Sequence, residues 1–493
     1  MATTSKRHRA HSPSQPHRHR RTTTATPSPP PSQPLPLPIP SNTTPNLPPK
    51  LQLLCQIIST TPSSLVESHL DDTGLRVTSH DVEQILKLSY NSPAAAVKFF
   101  RWAGRDKNHS PYSWNLVIDL LGKNGLFDAM WDAMGSMTRN GMVTLATFAS
   151  VFGSYVRAGR VEEAVGTFEG MERYGIERDV VALNSLLSAI CREGEKTARA
   201  EEYLRVCRVG VRPDGDTYAI LLEGWESEGN VDCARGTFED MVKEIGWDPG
   251  NVPAYDSYLC TLLKGKNGIH EALKSLSAMR ERRCTPGFKF FKVALEECAR
   301  RDDARGAALL WEAMTVRNAF RPDSGMYNMM ITLHCNLENP DIARRFLDDM
   351  VYDGVFPDAR CYNVILRSFI KSKRTQEAAA MFSEMVKNEF LPSQDNCAAA
   401  VKFFLASGEP YVAIKVWKYM TEHFDSDLED TANALVLDLR DMNMLPEAVK
   451  YAEDVVERQI KLHSSTLSKL KQSLTKARKG PVYDELFRKW KAH

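Results

Sequence analysis

The sequence predicts an all-α fold, an α-solenoid superhelix of about ten 35-residue helix-turn-helix repeats. Three observations carry the prediction. Pro213, Pro249, Pro286, Pro322, Pro357 and Pro392 recur at nearly constant spacing. A second ladder runs in phase with them: a small residue, a bulky one four later, and Met three after that. It reads Ala164-Phe168-Met171, Ala234-Phe238-Met241, Ala307-Trp311-Met314, Ala343-Leu347-Met350, Ala378-Phe382-Met385 and Ala413-Trp417-Met420. Those offsets place the three side chains on one helical face, where the small residue admits a neighbouring helix, so the Met and Trp stripe reads as core. Third, Gly-bearing bends such as Lys123 to Gly125, Arg157 to Gly159, Arg192 to Gly194 and Ser227 to Gly229 split each unit in two. Glycine closes the first helix and proline follows the second, because neither sustains a helix interior.

Residues 111–463 divide after Thr144, Asp179, Asp214, Gly250, Gly287, Asp323, Asp358, Ser393, Leu428 and His463, giving ten units. Residues 51–110 hold further amphipathic segments, among them Val82 to Leu88 and Ala94 to Ala103, and are expected to form a degenerate helical cap on the array. Residues 464–493 are expected to supply one or two basic helices that cover the last hairpin. A lone hairpin cannot bury its apolar face, so stacking must supply the core.

Composition excludes several classes. No apolar run is long enough to span a bilayer, and the ten cysteines show neither a Cys-x-x-Cys pair nor histidine at ligand spacing. They read as reduced helix residues, Cys207 standing where the ladder has Met. No phosphate loop, metal cluster or nucleophile-base arrangement stands out, so no cofactor and no enzymatic activity are expected.

Residues 1–50 are different material: no Asp or Glu, seven Lys plus Arg, many Ser and Thr, and a proline-rich stretch from Pro27 to Pro49. Such a start reads as an organelle transit peptide and linker, or alternatively as a disordered basic tail; it lacks the apolar centre of a secretory signal. The net charge of +1 hides a partition. The first fifty residues carry +7, residues 51–463 carry −12 and residues 464–493 carry +6. A net-acidic array gains nothing from its overall field near a polyanion, so affinity for nucleic acid would need a local stripe.

One such stripe lies near the ends of the first helices: Lys123, Arg157, Arg192, Lys264, Arg300 and Lys371, with Ser227 and Asn336 in equivalent places. Stacked hairpins would set these cations in a row able to track phosphates. Cations also favour helix C-termini for their own sake, and the sequence leaves both readings open.

Units such as Val180 to Asp214, opening VVALNSLLSAICREG and closing GVRPD, or Ser324 to Asp358, opening SGMYNMMITLHC and closing GVFPD, resemble pentatricopeptide repeats of the pure, 35-residue kind found in plant organelles. The resemblance covers about residues 111–463. The W-x-x-L-G-x-x-Y pattern of tetratricopeptide repeats is not seen, and the ending LFRKWKAH resembles neither the deaminase-like nor the nuclease-like extension of some family members. The resemblance implies recognition of single-stranded RNA, one base per hairpin, by a polar residue one turn into the first helix and the last residue of the unit. Asn184 with Asp214 and Asn328 with Asp358 then match uracil readers, and Asn363 with Ser393 a cytosine reader. The other units depart: Asn115 meets Thr144, Ala149 Asp179, Ala219 Gly250, Asp256 Gly287, Lys292 Asp323, Ala398 Leu428 and Asn433 His463. The sandwiching position three residues before the reader is polar at Asp216, Lys289, Arg360, Asp395 and Asp430, which should stack poorly.

The expected partner is therefore single-stranded organellar RNA, bound by a monomer away from any membrane in the mitochondrion, with the chloroplast as the alternative. The array would shield or remodel a transcript in processing, stabilisation, splicing or translation. The alternative function is a protein-binding scaffold associated with the mitochondrial ribosome or with processing proteins, which the −12 array and the departing pairs favour.

Overall fold

A computed structural model describes residues 47–105, 108–193, 196–207, 210–317 and 320–492. The basic, proline-rich start, residues 1–46, and Gly194 of one expected bend lie outside them.

Every element among the described residues is helical. Four helices precede the repeats: α1 (Pro49–Thr60), α2 (Val66–Asp72), α3 (Ser79–Leu88) and α4 (Pro93–Ala103). The repeats follow as hairpins: α5 (Pro111–Lys123) with α6 (Phe127–Arg139), α7 (Leu145–Arg157) with α8 (Val161–Glu169), α9 (Val180–Arg192) with α10 (Thr197–Cys207) and α11 (Gly215–Glu228) with α12 (Val231–Glu244). Next come α13 (Val252–Leu263) with α14 (Gly268–Glu281), α15 (Phe288–Arg300) with α16 (Ala304–Glu312), and α17 (Ser324–Asn336) with α18 (Pro340–Tyr352). The series closes with α19 (Ala359–Lys371) and α20 (Thr375–Lys387), α21 (Gln394–Ala406) and α22 (Pro410–His423), α23 (Glu429–Asp441) and α24 (Leu445–Glu457), and α25 (Ser464–Lys476) and α26 (Gly480–Ala492). The stretch before the repeats, where the sequence pattern picks out scattered amphipathic segments, is thus two hairpins, and α3 stacks on α5 as one repeat stacks on the next.

One backbone device ends most of these helices. The residue after the first helix turns left-handed, as at Gly125, Gly159 and Gly229 (φ 72°, 76° and 71°). The next amide then reaches back five residues, Leu126 to Leu121 at 3.0 Å and Arg160 to Tyr155 at 2.9 Å. This satisfies carbonyls that the helix end would leave bare. Later units put a side chain there, Glu338 (φ 59°), Lys373 (φ 56°) and Asn443 (φ 59°), and keep the same bonds. The second helix closes likewise on the ladder methionine: Met142, Val355 and Phe390 donate to the carbonyls of Met137, Met350 and Met385 at 3.0, 3.0 and 2.9 Å.

The ladder is the core. Ala164, Phe168, Ala343, Leu347, Ala378, Phe382, Ala413 and Trp417 are all buried, as are the methionines that follow them. In two units its geometry departs from a continuous helix. α8 ends at Glu169 and Met171 enters the core from a 3₁₀ turn, Met171–Tyr174, after a segment that Gly166 and Gly170 weaken. α16 ends at Glu312 and Met314 enters the core from a π turn, Ala313–Arg317, while Trp311 is half-buried, edge-on to Tyr327 and Phe346 with ring centres 5.0 and 5.2 Å away. First helices pack on the first helices of neighbouring units more intimately than second helices do, so the first-helix row lines the inside of the curve. That row carries the Asn positions and the stripe.

Candidate nucleic-acid interface

The last residue of most units is an N-cap. Asp179, Asp214, Asp323 and Asp358 each accept from the backbone N–H three residues on, at 2.8, 2.8, 2.8 and 3.0 Å, and Ser393 accepts from Asn396 at 3.4 Å. Asp and Ser suit that position because their short side chains reach an otherwise unpartnered helix donor. Helix capping alone thus accounts for the acid at the unit end, and the question becomes what else the capping carboxylate meets.

In the third unit it faces the partner that the resemblance names. Asn184 Nδ2 donates to Asp214 Oδ1 at 3.1 Å, joining α9 to the start of α11. Thr217 completes the junction: its hydroxyl donates to Asn184 Oδ1 at 2.7 Å and accepts from the Asp214 N–H at 3.1 Å. Burial opposes charge on Asp214, but the bonds from Thr217 and Asn184 outweigh it and hold the carboxyl below its usual range. In the seventh unit Cys361 takes the place of Thr217. Its thiol donates to Asn328 Oδ1 at 2.6 Å and lies 3.2 Å from Asp358 Oδ1, so Asn328 and Asp358 meet through a common sulfur. Burial raises the Cys361 thiol to about 12, which keeps it a donor at neutral pH.

The eighth unit is arranged differently. With Ser393 as cap there is no carboxylate to draw the amide, and Asn363 turns: Nδ2 donates to the Ala359 and Leu391 carbonyls at 2.7 and 3.1 Å, while Oδ1 accepts from the Ser393 N–H at 2.7 Å. Asn396 Nδ2 also reaches that oxygen, at 2.9 Å. Asn433 repeats the pattern with Glu429, Lys461 and His463. In the first unit Asn115 Oδ1 accepts from Thr147 at 2.7 Å. A clasp from the third residue of the next first helix to the Asn oxygen thus recurs at Asn115, Asn184, Asn328, Asn363 and Asn433. Sequence reasoning singled out the Asn and the cap but missed Thr147, Thr217, Cys361, Asn396 and Thr466. Their fixed position, three residues past each cap, was the available signal.

The fifth unit shows what happens without a capping side chain. Gly287 heads α15, and Asp256 of α13 substitutes: its Oδ1 accepts from the Gly287 N–H at 2.7 Å. Burial dominates there and raises the Asp256 carboxyl despite bonds from Gly287 and Phe290. A Cβ at Gly287 would fall 2.8 Å from Asp256 Oδ2, so the glycine makes room for the borrowed cap.

A groove of about 700 Å³ crosses α9, α11 and α13, and Asn184, Asp214, Asp216, Glu223, Asp256 and Lys289 are among its lining residues. Four carboxylates face one ammonium, which itself pairs with Glu226 at 2.7 Å. A smaller groove of about 350 Å³ holds Asn328, Met329, Arg360 and Val364.

The stripe cations are mostly engaged. Lys123 pairs with Asp119 at 2.6 Å, Arg157 with Glu193 at 3.7 Å, Arg300 with Glu297 at 2.5 Å and Lys371 with Glu338 at 2.9 Å. Lys264 donates to the main-chain carbonyl of Glu226. Arg192 is exposed, with no ion-pair partner among the described residues. Exposed pairs of this kind contribute about 0–1 kcal/mol each, so they can exchange partners, but four of the six stripe cations sit beside an anion.

Family models agree with this geometry. A model described as "PPR repeat family" matches residues 322–371, one described as "PPR repeat" matches 360–390, and one described as "Pentatricopeptide repeat-containing protein" matches 115–241. The matched stretches fall in both the earlier and the later units of the array. Two similar proteins from Arabidopsis thaliana are the mitochondrial pentatricopeptide repeat-containing proteins At1g77360, 33% identical over 35% of this chain, and At5g15010, 25% identical over 65% of it. The matched stretches span 34% and 56% of those relatives' own lengths. Among solved structures, the pentatricopeptide repeat protein PPR10 in complex with an 18-nt psaJ RNA element is 22% identical, with a TM-score of 0.41 over 89% of this chain and 67% of that one.

Proposed function

We propose that this chain is a pure, P-type pentatricopeptide repeat protein that binds single-stranded organellar RNA along its first-helix row. It acts on a transcript by occupancy, in processing, stabilisation, splicing or translation, with no catalytic step of its own. The observation that carries the reading is the Asn184–Asp214 contact: an amide and a carboxylate from successive repeats meet at 3.1 Å on the groove face, where together they can address the edge of one base. Asn328 with Asp358, joined through the Cys361 sulfur, supplies a second junction, and Asn363 with Ser393 a third in which the amide must turn before it reads. The acid-free basic start supports an organelle, and the mitochondrial names of the relatives favour the mitochondrion, with the chloroplast as the alternative.

A second reading, a scaffold for ribosomal or processing proteins, draws on the groove around Asp214, Asp216, Glu223 and Asp256, whose charge repels phosphate and suits a basic protein segment. Crosslinking and sequencing of RNA bound to the tagged protein from isolated mitochondria separates them. One sharp footprint with adjacent U and C and a U upstream supports sequence-specific reading. Broad recovery of ribosomal RNA, or none, supports the scaffold.

A further inference from the structure

We propose that the backbone of the bound RNA is anchored by the terminal hairpin, α25 and α26, rather than by the cations at the ends of the first helices. The inference rests on the RNA-binding reading above and concerns where its phosphate contacts lie.

Residues 464–493 carry +6 beside an array of −12. What separates the two sets of cations is pairing: among the described residues four of the six stripe cations have a carboxylate partner, against one of the hairpin's eight. Lys469, Lys471, Lys476, Arg478, Lys479, Arg488 and Lys491 are all exposed and none has a carboxylate partner among the described residues. Lys489 alone of the hairpin's cations is bridged, to Glu453 and Glu457 at 3.5 and 3.2 Å. A phosphate approaching Lys123, Arg157, Arg300 or Lys371 meets Asp119, Glu193, Glu297 or Glu338 in the same place, and the attraction largely cancels. The hairpin's own acids, Asp484 and Glu485, form no ion pair with its cations among the described residues, and the segment keeps its net +6, which acts over a Debye length of about 8–10 Å.

The hairpin is also where a strand leaving the Asn row would arrive. Asn433 Oδ1 accepts from the His463 N–H at 2.9 Å, and a groove of about 1180 Å³ opens there, lined by Lys461, His463, Ser464, Ser465, Trp490 and Lys491. Trp490 is half-buried and fixed by its Nε1–H, which donates to the Leu462 carbonyl at 3.1 Å. Its ring is a platform on which a base can stack, beside two exposed lysines. Lys469 and Lys476, two helical turns apart, share a face of α25 on which no further described helix stacks. A polar end is enough to keep a solenoid soluble. A helix and turn with five cations and no acid, from Ser464 to Lys479, exceed that need.

The test uses the full chain and a fluorescent single-stranded oligouridylate, with affinity read by anisotropy over a salt series. Lys469→Glu, Lys476→Glu and Arg478→Glu together are expected to weaken binding at least about tenfold and to lower the salt slope by about 2, three phosphate contacts at about 0.7 each. The same three changed to Gln should lower the slope equally with less loss of affinity, and circular dichroism checks that both variants fold. Arg300→Glu with Lys371→Glu, both at cations paired with a carboxylate, should alter the slope far less. A wild-type chain that binds while both terminal variants keep its slope overturns the anchor and leaves RNA reading standing. A wild-type chain that binds no oligonucleotide at any salt overturns both.

Discussion

Asn184 of α9 donates to Asp214 Oδ1 at 3.1 Å, and the same carboxylate oxygen accepts the Thr217 N–H at 2.8 Å at the start of α11. One side chain therefore caps a helix, links two repeats and faces the groove. A polar pair at a repeat junction can satisfy backbone donors and still present an edge to a ligand, and its substitutions must be read on both scales.

Asp214→Ala should lower stability by about 1 kcal/mol through the lost cap and also blunt base preference. Asn184→Ala and Asn328→Ala should shift base preference more than bulk affinity. Competition among oligonucleotides that differ at one base, beside a thermal melt of each variant, measures both. Equal loss of affinity for all four bases would remove Asn184 from the reading role.

Thr217→Val keeps the shape of the side chain but removes its hydroxyl from Asn184 Oδ1 and from the Asp214 N–H. Leaving those half-buried groups without this partner should cost about 1–3 kcal/mol. Chemical denaturation of the variant against wild type reads the loss. An unchanged midpoint would mean that the clasp contributes nothing.

Asp256→Asn should stabilise the protein near neutral pH. Burial raises the Asp256 carboxyl in the fold, so its ionised form costs stability once pH has risen through the unfolded value of about 3.9 and on past the folded one. Below both values the group is protonated in either state and the penalty is absent. The variant keeps an acceptor for the Gly287 N–H, so its melting advantage should appear on raising pH and vanish in acid. Asp214 has the opposite sign: its depressed value contributes stability above the unfolded value that is lost as pH falls through the folded one.

Lys373→Gly should raise stability by a few tenths to about 1 kcal/mol. Lys373 sits at φ 56°, in the left-handed position that Gly125, Gly159 and Gly229 occupy in earlier units, and a side chain there is strained. Glycine relieves the strain, while its freer unfolded chain returns part of the gain. Denaturation midpoints settle the sign.

The sequence by itself determined the helical class, the period, the buried face and the positions of the Asn and cap residues. These follow from local rules: a seven-residue ladder on one helical face, glycine or a tolerant residue where the backbone turns left-handed, and Asp or Ser where a helix begins. Period alone placed Ala343, Leu347 and Met350 in the core, where they lie buried. Tertiary structure decided what each polar residue touches. Lys371 and Glu338 stand 33 positions apart yet meet at 2.9 Å, because stacking brings equivalent corners of successive hairpins together. Cys361 bridges Asn328 and Asp358, whereas the similar Asn363 turns its amide onto two carbonyls, because one cap offers a carboxylate and the other a hydroxyl. A repeat fixes where side chains stand in the stack through backbone geometry; which partner each one takes depends on charge and length across the junction, and those vary from unit to unit.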